Sequence, residues 1–211
     1  MAVTLFLVRT PNHPFNVGDK QGRFGEMLAV RGPKVTAAGI VENGNANEST
    51  TIPLMPGGNR ALQLTCDGAA IGEIKRYTTI ERMGGYVQLR PNCGSFKVMK
   101  HGAYTVTFEL ANSEVRHLYQ RKDHQGQWTG PVLHDGNCLR IHGAISVPEQ
   151  GILIHEAPHV GWLVGCISPR NLSNYNTELT SKPKTNESYM AMSELFRFIG
   201  QEQANFFVLD W

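Results

Sequence analysis

The hydrophobic pattern of this chain is short-wavelength almost throughout. Residues 2–9 set Val3, Leu5, Phe6, Leu7 and Val8 around Thr4 and predict a strand, which Thr10-Pro11-Asn12-His13-Pro14 should end. Residues 16–58 are rich in glycine and carry the polar block 42–49, a composition that predicts a long surface loop. From there the apolar segments 61–66, 86–89, 96–99 and 104–108 are brief and broken by Gly, Asn or Pro. That is the rhythm of a β-sheet rather than of βαβ units, and 138–145 and 151–155 continue it.

The pattern changes period once. Met192, Leu195, Phe196 and Ile199 fall on one helical face, with Asn186 or Ser188 as cap candidates and Gly200 as the stop. A core-packing role for this helix is favoured over a membrane or partner role for Phe196, Phe198, Phe206, Phe207 and Trp211. Residues 171–186, rich in Asn, Ser, Thr and Lys, read as the loop before it, and a C-terminal strand follows. The expected architecture is therefore a single mainly β domain over 1–211, a sheet or sandwich with a C-terminal helix. Its parts are a β-rich segment 1–99, a core 100–170, and the tail 171–211.

Composition narrows the function class. Apolar residues make up 41% and the net charge is only +2, so the bulk is globular and nothing gathers into a basic stripe for nucleic acid. The longest early apolar run, 3–8, is far too short to span a membrane and lacks the flanks of a Sec signal. The expectation is a protein made in the cytoplasm, with no membrane span. Cys66, Cys93, Cys138 and Cys166 show no CxxC spacing, which argues against a zinc knuckle or a disulfide framework.

The candidate chemistry lies in 151–170. A buried strand, 152–154, delivers His155 at its end, and eleven residues later Gly165-Cys166 opens the next apolar segment. This order can return an imidazole to a thiol. A thiol is mostly protonated at neutral pH, and a neighbouring imidazole can take its proton. Gly165 leaves room for a carbonyl beside the sulfur, and N–H groups around Gly165 and Cys166 can hold the oxyanion. A backbone carbonyl, or the side chains of Glu156, His142 or His159, are candidates to orient the far side of the imidazole. Trp162, between His155 and Cys166, is a candidate lining residue, and Ser168 a candidate hydrogen-bonding partner of substrate.

The run Gly-Ile-Leu-Ile-His, followed by Gly-Cys-Ile-Ser-Pro, resembles the core motif of a small domain family of phage and secretion-associated proteins related to the L,D-transpeptidase catalytic domain. Gly102-Ala103-Tyr104-Thr105-Val106 resembles the Gly-x-Tyr strand that precedes the motif there. The resemblance spans about a third of the chain, roughly 100–170. It implies a β-rich L,D-transpeptidase-like fold with Cys166 as nucleophile and His155 as base, acting on peptidoglycan stem peptides without a cofactor. L,D-transpeptidases carry Ser-His-Gly-Cys and an Arg two residues past the Cys. Here Leu163-Val164 precede Gly165, Ser168 stands at the Arg position, and Arg170 is the candidate replacement at the substrate carboxylate. The resemblance further implies an antibacterial effector of the type VI secretion kind, acting on the cell wall in the periplasm of a target cell, with an immunity protein and a delivery protein as partners.

Two alternatives stand beside this reading. Asn92-Cys93-Gly94-Ser95-Phe96 resembles the nucleophile segment of papain-like peptidoglycan endopeptidases, with His134, His142 or His155 as base, although 94–99 read as a turn into a strand rather than as a helix. The other is a non-catalytic phage or secretion-apparatus module, favoured by the lost Arg. His134-Asp135 with His142 do not reach a convincing metal set, so no metal is expected, and Trp128 reads as packing as readily as groove lining. The first hundred residues are expected to complete the sheet, cover the site, or dock to a delivery protein.

Overall fold

A computed structural model of the chain describes residues 2–17, 19–42, 51–55, 59–67, 71–86, 95–96, 99–110, 121–122, 128–129, 137–147, 150–157, 160–163, 165–171, 185–200 and 202–210. The fold is mainly β, as the sequence predicts, and its main sheet closes on itself. Eight strands form the barrel: β1 (Val3–Val17), β2 (Lys20–Arg31), β6 (Ile74–Arg82), β9 (Gly102–Leu110), β12 (Asn137–Val147), β13 (Gln150–Ile154), β14 (Ile167–Arg170) and β15 (Ala204–Asp210). Their order around it is β1-β15-β9-β12-β13-β14-β6-β2. Two neighbouring pairs are parallel, β1 with β15 and β13 with β14. The remaining pairs run antiparallel.

Closure buries alternate residues of every strand in one lumen, where Leu5, Leu7, Met27, Leu139, Ile154 and Phe206 meet. Helix α1 (Thr185–Ile199) adds Met192, Leu195, Phe196 and Ile199 to the same cluster, the face its sequence predicts. It ends where expected, with Gly200 at φ 74° and its N–H on the Phe196 carbonyl at 2.8 Å. At its C-terminal end the Arg31 guanidinium lies 4.6 Å from the Phe198 ring centroid and donates to the Phe198 carbonyl.

A second, smaller sheet explains why β1 and β2 are apolar on both faces. Strands β3 (Thr36–Glu42), β4 (Thr51–Pro53) and β5 (Arg60–Thr65) pair in the order β3-β5-β4. Their Ile52, Leu62 and Leu64 pack on the outward Phe6, Val8, Leu28 and Val30. Two-residue pairs complete the strand set: β7 (Gly85–Tyr86) with β8 (Ser95–Phe96), and β10 (Arg121–Lys122) with β11 (Trp128–Thr129).

This corrects the N-terminal expectation in two places. The Thr10–Pro14 segment does not end β1; pairing with β2 resumes at Pro14 after a register shift, the behaviour of a β-bulge. Of the stretch 16–58 expected as a surface loop, 20–31, 36–42 and 51–53 are strand, while 43–49 of its polar block lie outside the described residues. Gly22 and Gly25 are packing positions: a Cβ on Gly22 would stand 2.5 Å from the Phe15 ring and 2.7 Å from Val160, and one on Gly25 2.8 Å from Thr79 Oγ1. Of the roles open to the first hundred residues, completing the sheet is the one β1, β2 and β6 perform.

Charge is also buried within the barrel. Arg9 makes a two-pronged pair with Glu81, at 2.9 Å from Nε and 2.8 Å from Nη2, and Arg23 Nε joins at 3.1 Å. The Arg9 and Glu81 side chains are 3% and 2% exposed.

Candidate active site

The parallel pairing of β13 with β14 builds the site. Ile154 and Ile167 are partners across it and both point into the lumen. Strand alternation then turns His155, which follows one, and Cys166, which precedes the other, to the outer face. With strands about 4.8 Å apart and two residues of axial offset, their Cα atoms stand roughly 8 Å apart, within side-chain reach. His155 N–H donates to the Ile167 carbonyl at 3.0 Å, which locks the two segments together. The sequence places these residues eleven apart; the barrel places them on adjacent strands and one face.

The twelve-residue crossover, 155–166, folds back in its described residues as a cover. Ala157 and Leu163 pack with Ile80, and Cys166, half-buried, lies against this cluster together with Phe15 and Phe24. A 3-10 turn over Val160–Trp162 shapes the cover, with Leu163 N–H on the Val160 carbonyl. Gly165 has φ 81°, a conformation that disfavours any residue with a Cβ, so glycine there follows from the turn into the thiol.

The imidazole is fully buried. Its Nδ1 lies 2.7 Å from the Glu156 carbonyl oxygen, which can only accept, so the proton sits on Nδ1 and Nε2 keeps its lone pair. The orienting group is thus a backbone carbonyl, that of the residue after the histidine. Burial lowers the His155 pKa to about 4, and the imidazole is neutral at physiological pH.

Glu156 enters differently from its side-chain role in the sequence reading. Its carboxyl is buried, neither oxygen has a hydrogen-bond partner among the described residues, and burial raises its pKa to about 8. It is therefore mostly protonated near pH 7. The two groups shape stability oppositely. His155 binds a proton more readily unfolded, so stability falls as pH drops from 6.5 through about 4. Glu156 binds one more readily folded, so stability falls as pH rises from 4.5 through about 8. Their slopes cancel between pH 4.5 and 6.5. From pH 6.5 to 8 the Glu156 slope alone removes about 2 kcal/mol. Glu156→Gln is expected to flatten this alkaline arm in urea titrations at a series of pH values, and an unchanged alkaline decline would refute the burial of this carboxyl.

Ser168 and Arg170, offered by the sequence as substrate contacts, hold the cover in place. Ala157 N–H donates to Ser168 Oγ at 2.9 Å and to Ser188 Oγ at 3.2 Å. Ser188 Oγ–H donates to the Pro169 carbonyl at 3.0 Å, which leaves the Ser168 hydroxyl to donate across the 2.8 Å Ser168–Ser188 contact. Arg170 Nη2 donates to the Ala157 carbonyl at 3.1 Å. Ser188, expected as a cap, sits inside α1 and ties the helix to the site. Its packing partners come from β14, so no local signal could reveal this role.

The other candidates are not gathered here. His142 is exposed on β12, with Nε2 2.7 Å from Thr107 Oγ1, and is not brought to His155. Trp162 closes the 3-10 turn with its side chain outside the described residues, as is all of His159. Cys93, His134 and Asp135 also lie outside them, as does the Trp128 side chain; the chain two residues after Cys93 is strand β8, in line with the turn-to-strand reading. Among the described residues no three His, Cys, Asp or Glu side chains converge on a metal site, and no helix is long and apolar enough to cross a membrane. Sequence reasoning left Arg82 on β6 unremarked, and nothing in it placed Cys138, buried on β12, in the register position opposite His155.

An open groove of about 890 Å³ lies elsewhere, between Ile40 and Val41 of the small sheet and Phe207 and Leu209 of the barrel, and shares no residue with this site. In comparisons with known proteins, no family model, curated protein or solved structure matches this chain.

Proposed function

We propose that this chain is a cysteine acyl-transfer enzyme of the L,D-transpeptidase kind, acting on peptidoglycan stem peptides. The observation that carries the reading is the parallel Ile154–Ile167 pairing, which turns a neutral, carbonyl-oriented imidazole and a half-buried thiol to one face with their Cα atoms roughly 8 Å apart. His155 Nε2 takes the Cys166 proton, and Sγ attacks the carbonyl carbon of a stem-peptide amide. N–H groups at the Gly165–Cys166 turn hold the oxyanion. Collapse breaks the C–N bond, His155 returns its proton to the leaving amine, and a thioester remains. Water then gives a carboxypeptidase, a D-amino acid gives exchange, and a second stem peptide gives a cross-link.

The motif resemblance supports stem peptides as substrate, and supports an antibacterial effector delivered to the periplasm of a target cell as the biological setting. The test is to incubate the protein and Cys166→Ala with sacculi and with soluble tetrapeptide and pentapeptide stems, and to follow the products by mass spectrometry. Loss or exchange of terminal D-Ala that vanishes in Cys166→Ala is the expected result. Cleavage that survives Cys166→Ala but not Cys93→Ala would transfer the chemistry to the papain-like reading, and no change at all would leave a non-catalytic binding module.

A further inference from the structure

Across β14 from the imidazole lies a cation that this mechanism does not use. β14 pairs antiparallel with β6, Ile167 with Glu81 and Ser168 with Ile80, so the next position of the same register sets Arg82 opposite Cys166. Ile80, two residues before it, packs in the cluster that holds Cys166, while Glu81 turns inward to Arg9. Alternation therefore gives Arg82 the face of the thiol, where directly opposed residues have Cβ atoms about 5 Å apart. Arg82 is 8% exposed. Its partner on the far side, Gly22 of β2, brings no side chain, and Phe15 and Val160 close over that glycine. A guanidinium is thus held under cover one strand from the sulfur.

Among the described residues, the charges around the thiol can be named element by element. From the end of β13 come His155 and Glu156, neutral near pH 7 as argued above. From β14 comes Arg170, four residues along the strand and engaged with Ala157. The β1–β2 turn supplies Asp19, an exposed anion acting on Arg82, paired with Lys20 at 2.9 Å. Arg9, Arg23 and Glu81 belong to the lumen face. An imidazole this deeply buried is a poor resting cation, so a thiolate at Cys166 needs a fixed positive charge from another residue.

We propose that Arg82 is the electrostatic partner of Cys166, its guanidinium stabilising the thiolate and so setting the pH range in which the cysteine is nucleophilic. Arg82 exchanges no proton; the thiol's proton goes to His155 or, without substrate, to solvent. The inference rests on Cys166 as the reactive thiol and is independent of which acyl group it attacks.

The experiment uses the full chain and no substrate. Iodoacetamide alkylation of Cys166 is followed by peptide-resolved mass spectrometry from pH 4 to 10, with the half-buried Cys66, remote from the site, in the same molecule as reference. Arg82→Met is expected to raise the Cys166 alkylation midpoint by about one pH unit, near tenfold slower reaction below the midpoint, with Arg82→Lys restoring most of it. Asp19→Asn, at an exposed position that does not threaten folding, is expected to lower the midpoint by a few tenths of a unit by leaving the guanidinium less neutralised. A folded Arg82→Met with the wild-type midpoint, or an Arg82→Lys no better than Arg82→Met, overturns the proposal; so does an unmoved midpoint in Asp19→Asn if Arg82→Met does not fold. Activity on stem peptides is read separately, so its absence bears on the substrate and not on Arg82.

Discussion

Cys166→Ala is expected to abolish acyl transfer outright, and His155→Gln to slow it by about 10²–10⁴-fold, roughly 3–5 kcal/mol in barrier height. The alanine removes the sulfur that holds the acyl group in this mechanism. The glutamine keeps a polar side chain of similar reach beside the Glu156 carbonyl but offers no basic nitrogen to the thiol. Because burial holds the His155 pKa to about 4, the imidazole stays a competent acceptor across mildly acidic conditions. The histidine's limb of the pH–rate profile should accordingly fall only as pH drops through about 4, well below the 6.5 of an ordinary imidazole. Release of D-Ala by both variants, against near-ultraviolet circular dichroism as a check of folding, measures the effect. Wild-type turnover in His155→Gln, or an acid limb near pH 6.5, would remove His155 from the role of base.

Glu81→Ala is expected to cost about 3–5 kcal/mol of stability, from a total that for a domain is usually 5–15 kcal/mol. The carboxylate takes two bonds from Arg9 and one from Arg23, and the Arg9 side chain is only 3% exposed. Truncation leaves that guanidinium inside the barrel with only the 3.5 Å contact to the half-exposed Asp210. Taking both partners away is a different matter. Arg9→Met combined with Glu81→Leu should recover most of the loss, because no buried charge is then left uncompensated. Urea titration of the single and double variants reads this directly, and a single-variant loss under about 1 kcal/mol would mean the pair is solvated. The stakes extend to the site, since Glu81 is the ladder partner of Ile167, the residue after Cys166.

Both predictions link the site to the scaffold. The thiol stands at the start of a four-residue strand, and that strand is held on one side by β6 and on the other by a single parallel pairing to β13. Ser188 adds a third support from the helix. A short strand so placed is precise because β6 pairs with it at all four of its positions.

How much of this was legible beforehand follows from the range of the interactions involved. The helix was readable because its contacts recur every three or four residues, so Met192, Leu195, Phe196 and Ile199 announce their common face locally. His155 and Cys166 were readable as a candidate pair because a strand end, a short crossover and a Gly-Cys turn lie within sixteen residues, 151–166. The mainly β class was readable from short, punctuated apolar runs.

Barrel closure was not. β2 and β6 are buried on both faces, one against the lumen and one under the small sheet or the crossover, so they lack the alternation that marks a half-buried strand. The glycines of β2 looked like loop residues because nothing near them in sequence shows that Phe15, Val160 and Thr79 will fill the space a Cβ would take. Arg9 and Glu81 are 72 residues apart, and the ladder register that sets Arg82 opposite Cys166 spans 84. By itself the sequence determined the local periods, the turn chemistry and the pair of reactive residue types. Only the tertiary structure decided which strands flank the thiol, that the imidazole is buried, and that β1, β2 and β6 wall the site, because burial and the proximity of distant strands come into being only when the sheet closes.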